Sequence, residues 1–243
     1  MLLACLVPHP VALTAVRTAA PTCIVGVIAA AFEGNASDVA LAAGGAWAVV
    51  MTAVALAPAV GMAFVNGPAY ANERRFPLAV PRAVLLGPLE LAWALMMGLP
   101  ATTLFLVANH HWVVGAICAA LAVPVVALLG RAMHGLSRRW VVFVPAGMVL
   151  HDHLALVDPV LFTRTVIDEF GPARVDSDAL DLTQGAPGLA LELVLHEKVP
   201  MTRVRSGRRG SEEGASARLL FTPTRPGAVL AEADHRRIRT AAR

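Results

Sequence analysis

Four apolar runs constrain this chain more than any other feature: positions 11–32, 39–65, 83–107 and 112–130 are long stretches of Ala, Val, Leu and Gly with hardly a charge. Hydrocarbon about 30 Å thick takes roughly 20 residues of helix to cross, and backbone polar groups inside it must be satisfied within the segment. The runs are therefore read as four spanning helices. Arg17 and Pro21 interrupt the first, and Glu90 is the one acidic residue within a run. Composition agrees, since 57% of the 243 residues are hydrophobic and 15% charged, against about 45–50% and 25% in soluble chains.

Charge divides the chain at Arg131–Trp140. Four basic and four acidic residues precede position 131, and sixteen and thirteen lie from position 131 onward, so the net charge of +3 belongs to the C-terminal part. The expected organisation is a transmembrane domain over 1–135 and a soluble domain over 136–243. About seven residues separate Gly130 from the first soluble strand, a tether short enough to hold that domain near the lipid headgroups. Connectors 33–38 and 108–111 contain no Lys or Arg, whereas Arg74, Arg75 and Arg82 lie between the second and third runs and Arg131, Arg138 and Arg139 follow the fourth. The positive-inside rule puts all six arginines in the cytoplasm. That predicts a multi-pass protein of the bacterial cytoplasmic (inner) membrane with cytoplasmic N- and C-termini. Trp112 and Trp140 fall at the run boundaries, where amphipathic aromatics collect. Gly44, Gly45 and Ala48 form a small-residue face for close helix packing.

After Arg138 the periodicity changes. Positions 139–144 and 148–151 are β-branched and aromatic, with Pro145-Ala146-Gly147 between them, which predicts two strands and a tight turn. Further extended stretches cover 159–167, 179–183, 189–195, the neighbourhood of Val204, and 217–221. In 189–195 the leucines at 189, 191, 193 and 195 alternate with Ala190, Glu192 and Val194, the period of a strand that covers a core. Thr222-Pro223-Thr224-Arg225-Pro226 supplies a turn and a capping hydroxyl, and 227–241 then reads as a terminal helix. The predicted fold class is an α-helical transmembrane bundle of about four helices followed by a small α+β domain, an antiparallel β-barrel or sandwich with one C-terminal helix.

The entry Arg138-Arg139-Trp140-Val141-Val142-Phe143-Val144-Pro145-Ala146-Gly147-Met148-Val149-Leu150-His151 and the exit Leu219-Leu220-Phe221-Thr222-Pro223-Thr224-Arg225-Pro226-Gly227 carry a resemblance. Over about 138–243 this order resembles bacterial pleckstrin-homology-like (PH-like) domains attached to membrane helices. The whole chain is similar to four-span membrane proteins of actinobacteria, an origin that fits its abundant Ala and its single lysine, Lys198. The resemblance implies a binding or assembly module, and it transfers no catalytic residue.

Candidate sites are few. Glu90 lies about 10 Å into its run at 1.5 Å per residue. An ionisable group at that depth is either functional or paired with a loop arginine such as Arg82. Arg203, Arg205, Arg208 and Arg209, followed by Gly210-Ser211-Glu212-Glu213-Gly214, form a polar loop suited to anionic lipid or a protein partner. Two adjacent histidines, His110 and His111, point in different directions, and His151 with His153 lacks a third ligand. His196-Glu197-Lys198-Val199-Pro200 begins like a zinc-protease motif but has proline where the second histidine is required. Leu2-Leu3-Ala4-Cys5 matches a lipobox without the preceding charged and apolar regions, so lipidation is not expected. Neither a phosphate-binding glycine loop nor a Gly-x-Ser-x-Gly elbow occurs. No metal or cofactor is expected. Without a basic stripe interleaved with aromatics, neither is nucleic acid. These readings predict a non-enzymatic membrane protein presenting a cytoplasmic PH-like module to membrane lipids or a protein partner within a cell-envelope assembly. The competing expectation is a small transporter, or transporter subunit, that uses Glu90.

Overall fold

The computed structural model describes residues 6–34, 36–205 and 210–240, and the chain divides into two compact units. One comprises Met1–Gly67 with Leu85–Ser137, the other Pro68–Val84 with Arg138–Arg243. A domain boundary at 135/136 alone therefore misses a segment: 68–84, a connector in the sequence, folds with the C-terminal part.

The helical unit contains α1 (Pro10–Glu33), α2 (Asp38–Leu56) and α3 (Pro58–Asn66). After β1 (Arg74–Pro77) of the other unit come α4 (Arg82–Leu85), which straddles the unit boundary, α5 (Pro88–Ala108) and α6 (Trp112–Leu136). Among the described residues four helical stretches, Pro10–Glu33, Asp38–Leu56, Arg82–Ala108 and Trp112–Leu136, are long and apolar enough to cross a membrane. Only 6–22% of the residues in their apolar windows are buried, so most of this apolar surface needs lipid as its solvent.

The second run differs from expectation. A single helix over 39–65 is not formed, because Pro58 has no N–H to donate and forces Ala57 into an extended conformation with ψ 135°. Pro58 instead starts α3 at its first position. The third run is broken too, at Gly87 with φ 113°. Within the unit, α1 packs on α2 and α5 on α6. Val27 of α1 touches the space beside Gly44 and Gly45, with Ala48 buried on α2, so the small-residue face does meet a neighbouring helix. Leu106 and Val107 accept backbone bonds from His111 and His110, closing α5 with a Schellman turn whose left-handed position is His110, φ 61°.

The second unit has two four-stranded sheets. The first runs β1-β2-β3-β4 and is antiparallel throughout, with β2 Trp140–Val144, β3 Gly147–His151 and β4 Val160–Thr163. The second runs β5-β7-β8-β6, with β5 Ile167–Pro172, β6 Leu180–Asp181, β7 Leu191–Val204 and β8 Ser211–Phe221. Among the described strand pairs β6–β8 is the parallel one, so the second sheet is mixed rather than purely antiparallel. The stretch 159–167 is two strands in different sheets, turned where Val166 N–H meets Thr163 O. Conversely 189–195 and the Val204 region are one strand, interrupted by a bulge between Val194 and Val199 that takes up His196, Glu197 and Lys198. Leu191, Leu193 and Leu195 are buried as their alternation requires, while Leu189 precedes the strand and is exposed.

Glycine is needed at position 147, since a Cβ there would overlap the Phe162 carbonyl of the adjoining strand. The terminal helix α7 spans Pro226–His235, shorter than 227–241, and its start has no side-chain cap. Thr224 instead donates its hydroxyl to Pro77 O at 3.2 Å. The helix ends by another Schellman turn: Arg237 N–H donates to Asp234 O, Ile238 N–H donates to Ala233 O, and Arg237 is left-handed at φ 56°.

The segment 68–84 is integral to this unit. Phe76 is buried and meets Phe143 edge-on at 5.7 Å between centroids. Leu78 and Ala79 donate backbone bonds to Arg139 and Thr222, and Thr224 donates one to Pro77. The first sheet is thereby stitched to the end of β8. Full burial of a Phe contributes about 1.5–3 kcal/mol, so this short strand matters well beyond its four residues.

Candidate functional site

Glu90 occupies the third position of α5, exposed, and its Oε2 accepts the Gly87 N–H at 2.7 Å. A carboxylate there satisfies one of the orphan donors of a helix start and favours the positive end of the helix dipole. Its placement is that of a cap, not of a group lining a bundle interior, and no ion pair with Arg82 is formed among the described residues.

Arg17 proves more informative than its sequence position. From α1 its Nε donates to Ala55 O at 3.2 Å, one of the last carbonyls of α2, left without an intrahelical partner by the break at Pro58. Gly61 on α3 leaves room for it, since a Cβ there would lie 2.6 Å from Nη2. Nearby on α1, Thr14 contacts His134 Nδ1 and Ser137 Oγ, each at 3.2 Å, and Thr18 O accepts Trp93 Nε1–H at 2.9 Å. These bonds bring the starts of α1 and α5 together with the ends of α2 and α6, so the helices alternate in direction.

The loop arginines separate into different fates. Arg203 pairs with Glu212 at 3.0 Å across β7 and β8, because the strands extend further into the supposed loop than alternation suggested. Arg205 is exposed at the end of β7, while Arg208 and Arg209 lie outside the described residues, as does Cys5. Arg139 is a buried structural residue: its Nε and Nη2 grip Asp152 at 2.6 and 2.8 Å, and Nη1 donates to Ala79 O at 2.9 Å. Asp152 is thereby committed, and His151 stacks on Trp140 at 5.4 Å with Nδ1 2.8 Å from Arg138 O. Trp140 also carries Arg75 over its ring at 5.3 Å. Among the described residues no three His, Cys, Asp or Glu side chains are grouped to hold a metal.

What sequence spacing did not reveal is an open cleft of about 730 Å³ in the second unit, where the β1 approach, the turn after β4 and the end of α7 meet. Arg74, Arg164, Arg236 and Arg237 line it with Glu73 and Glu232. Arg75 holds the Glu73 carboxylate by two bonds of 2.8 and 3.0 Å and keeps it below the usual carboxylate range. Arg236 takes Glu232 at 2.6 Å and donates to Asn72 O at 3.1 Å, tying α7 to the 68–84 segment. Arg74, Arg164 and Arg237 have no side-chain partner among the described residues.

Comparison of the chain with protein-family models, with curated proteins and with solved structures returned no match.

Proposed function

We propose that this chain is a non-enzymatic integral protein of the bacterial inner membrane, whose helices hold a PH-like module on the cytoplasmic side for protein or lipid contacts within a cell-envelope assembly. The observation that carries this reading is the composite second unit, which takes a strand from the chain between two spanning segments and the rest from the chain after the last one. A module built that way is covalently tied to the membrane helices at more than one point, as suits a platform whose contacts must stay at the membrane. The arginines at 74, 75, 82, 131 and 138 support the cytoplasmic side. Two small sheets followed by one helix support the PH-like comparison, with the parallel β6 as a departure from it.

The test uses the full chain in its native membrane. Alkaline phosphatase fused after Arg243 is expected to be inactive and a cytoplasmic reporter active; the reverse overturns the sidedness. Photo-crosslinkers placed at exposed Val157, Leu161 and Val175 are expected to give discrete protein or lipid adducts. Their absence at all positions overturns the module's role as a contact surface.

A further inference from the structure

We infer that the arginine cleft of the second unit binds a phosphate-bearing anion, either a lipid headgroup or a free phosphate. The inference rests on the contact-module reading only for the lipid source.

The reasoning starts from charge. Both carboxylates lining the cleft are already held, Glu73 by Arg75 and Glu232 by Arg236. Neither neutralises Arg74, Arg164 or Arg237, which reach the same space from the start of β1, the turn after β4 and the end of α7. Three exposed arginines lining one cleft give it a positive local potential that favours an anion. Guanidinium forks match phosphate oxygens in plane and spacing. A terminal phosphate presents three acceptor oxygens, one for each guanidinium, and carries more negative charge than a single carboxylate.

The backbone supplies an independent observation. Arg237 holds the left-handed position of a Schellman turn, with φ 56°. Glycine is unstrained there and an arginine is not. Arg237 thus lines the cleft from a backbone conformation that costs a non-glycine residue energy. The bond from Arg236 Nη1 to Asn72 O joins two of the cleft's walls.

The experiment uses the purified full-length protein in detergent without phosphate buffer. Inorganic pyrophosphate is titrated calorimetrically, and retention of phosphatidylglycerol against phosphatidylcholine is read by native mass spectrometry. Wild type is expected to bind one of these anions, and Arg164→Gln and Arg237→Gly are each expected to weaken that binding tenfold or more. Arg174→Gln, at an exposed arginine 4.0 Å from Asp176, is expected to leave it unchanged. Arg237→Gly also relieves the left-handed strain, so its thermal midpoint is expected to hold or rise while binding falls, which a merely structural role would not produce. Arginine-dependent pyrophosphate binding supports a free phosphate ligand; arginine-dependent retention of phosphatidylglycerol alone supports a lipid headgroup. Binding of neither anion, or binding that survives replacement of all three arginines, overturns the inference. Crosslinking and reporter results on the module are independent of this outcome, so the two readings fail separately.

Discussion

The helical unit half-buries an arginine, whereas the two-sheet unit encloses one completely. In the first, Arg17 gives one bond to a carbonyl released by a helix break, and the surrounding core is thin, with Val16, Ala20 and Ala55 packed beside Phe64. In the second, Arg139 is enclosed, grips a buried carboxylate with two bonds and gives a third to a backbone carbonyl. Helices satisfy their backbones locally and need few internal partners, whereas a unit of paired sheets must enclose a core and pair everything polar that enters it. The difference predicts that single substitutions will cost more in the sheets than in the bundle.

The largest effect is expected at the borrowed strand. Phe76→Ala should destabilise the second unit by about 3–5 kcal/mol, read as a lowered thermal midpoint of that unit in detergent. Residues 138–243 expressed alone, without β1, should fail to unfold cooperatively and should be cleaved rapidly by protease; a stable isolated fragment would break the comparison. Next comes the enclosed pair, where Asp152→Ala should cost about 3–5 kcal/mol because Arg139 keeps an uncompensated buried charge. The double replacement Arg139→Met with Asp152→Leu should recover much of the loss, which a denaturant titration would register.

In the bundle, Arg17→Ala should cost about 1–3 kcal/mol by leaving the Ala55 carbonyl unsatisfied, measured as reduced abundance and detergent lifetime. Glu90→Gln removes a charged cap and should cost about 0.3–1 kcal/mol, with abundance falling slightly and any cellular phenotype following abundance; a lost phenotype at full abundance would instead favour the transporter reading. The smallest effect concerns acid stability. Arg75 holds the Glu73 carboxyl below its unfolded value of about 4.3. Its contribution is therefore fully present above that value and is lost as pH falls through the lower folded value. Glu73→Gln should flatten the acid limb of the stability curve and leave the neutral region nearly unchanged.

Much of this architecture was legible because its signals are local. Apolar run length places a spanning helix, alternation at 191, 193 and 195 places a buried strand face, and Pro145-Ala146-Gly147 places a turn. The breaks at Pro58 and Gly87 carried visible residues, but run length outweighed them in the reading. Arg203 looked free because its partner Glu212 lies across a hairpin whose strands were longer than their alternation suggested. Arg74, Arg164 and Arg237 carried no shared spacing at all. Their meeting depends on which strands pair, and a single sequence does not state that.

From the amino-acid order alone came four segments long and apolar enough to span a membrane, the concentration of arginine in alternate connectors, and the change from helix to strands near Arg138. Those follow from hydrophobic run length and side-chain periodicity, which act over a few turns of chain. Tertiary structure alone decided that 68–84 belongs with the sheets, that Arg139 is enclosed while Arg237 stays open, and that three distant arginines share a cleft. Such choices rest on complementary burial and hydrogen bonding across separations as large as the 164 positions between Asn72 and Arg236, a distance over which local spacing carries no information.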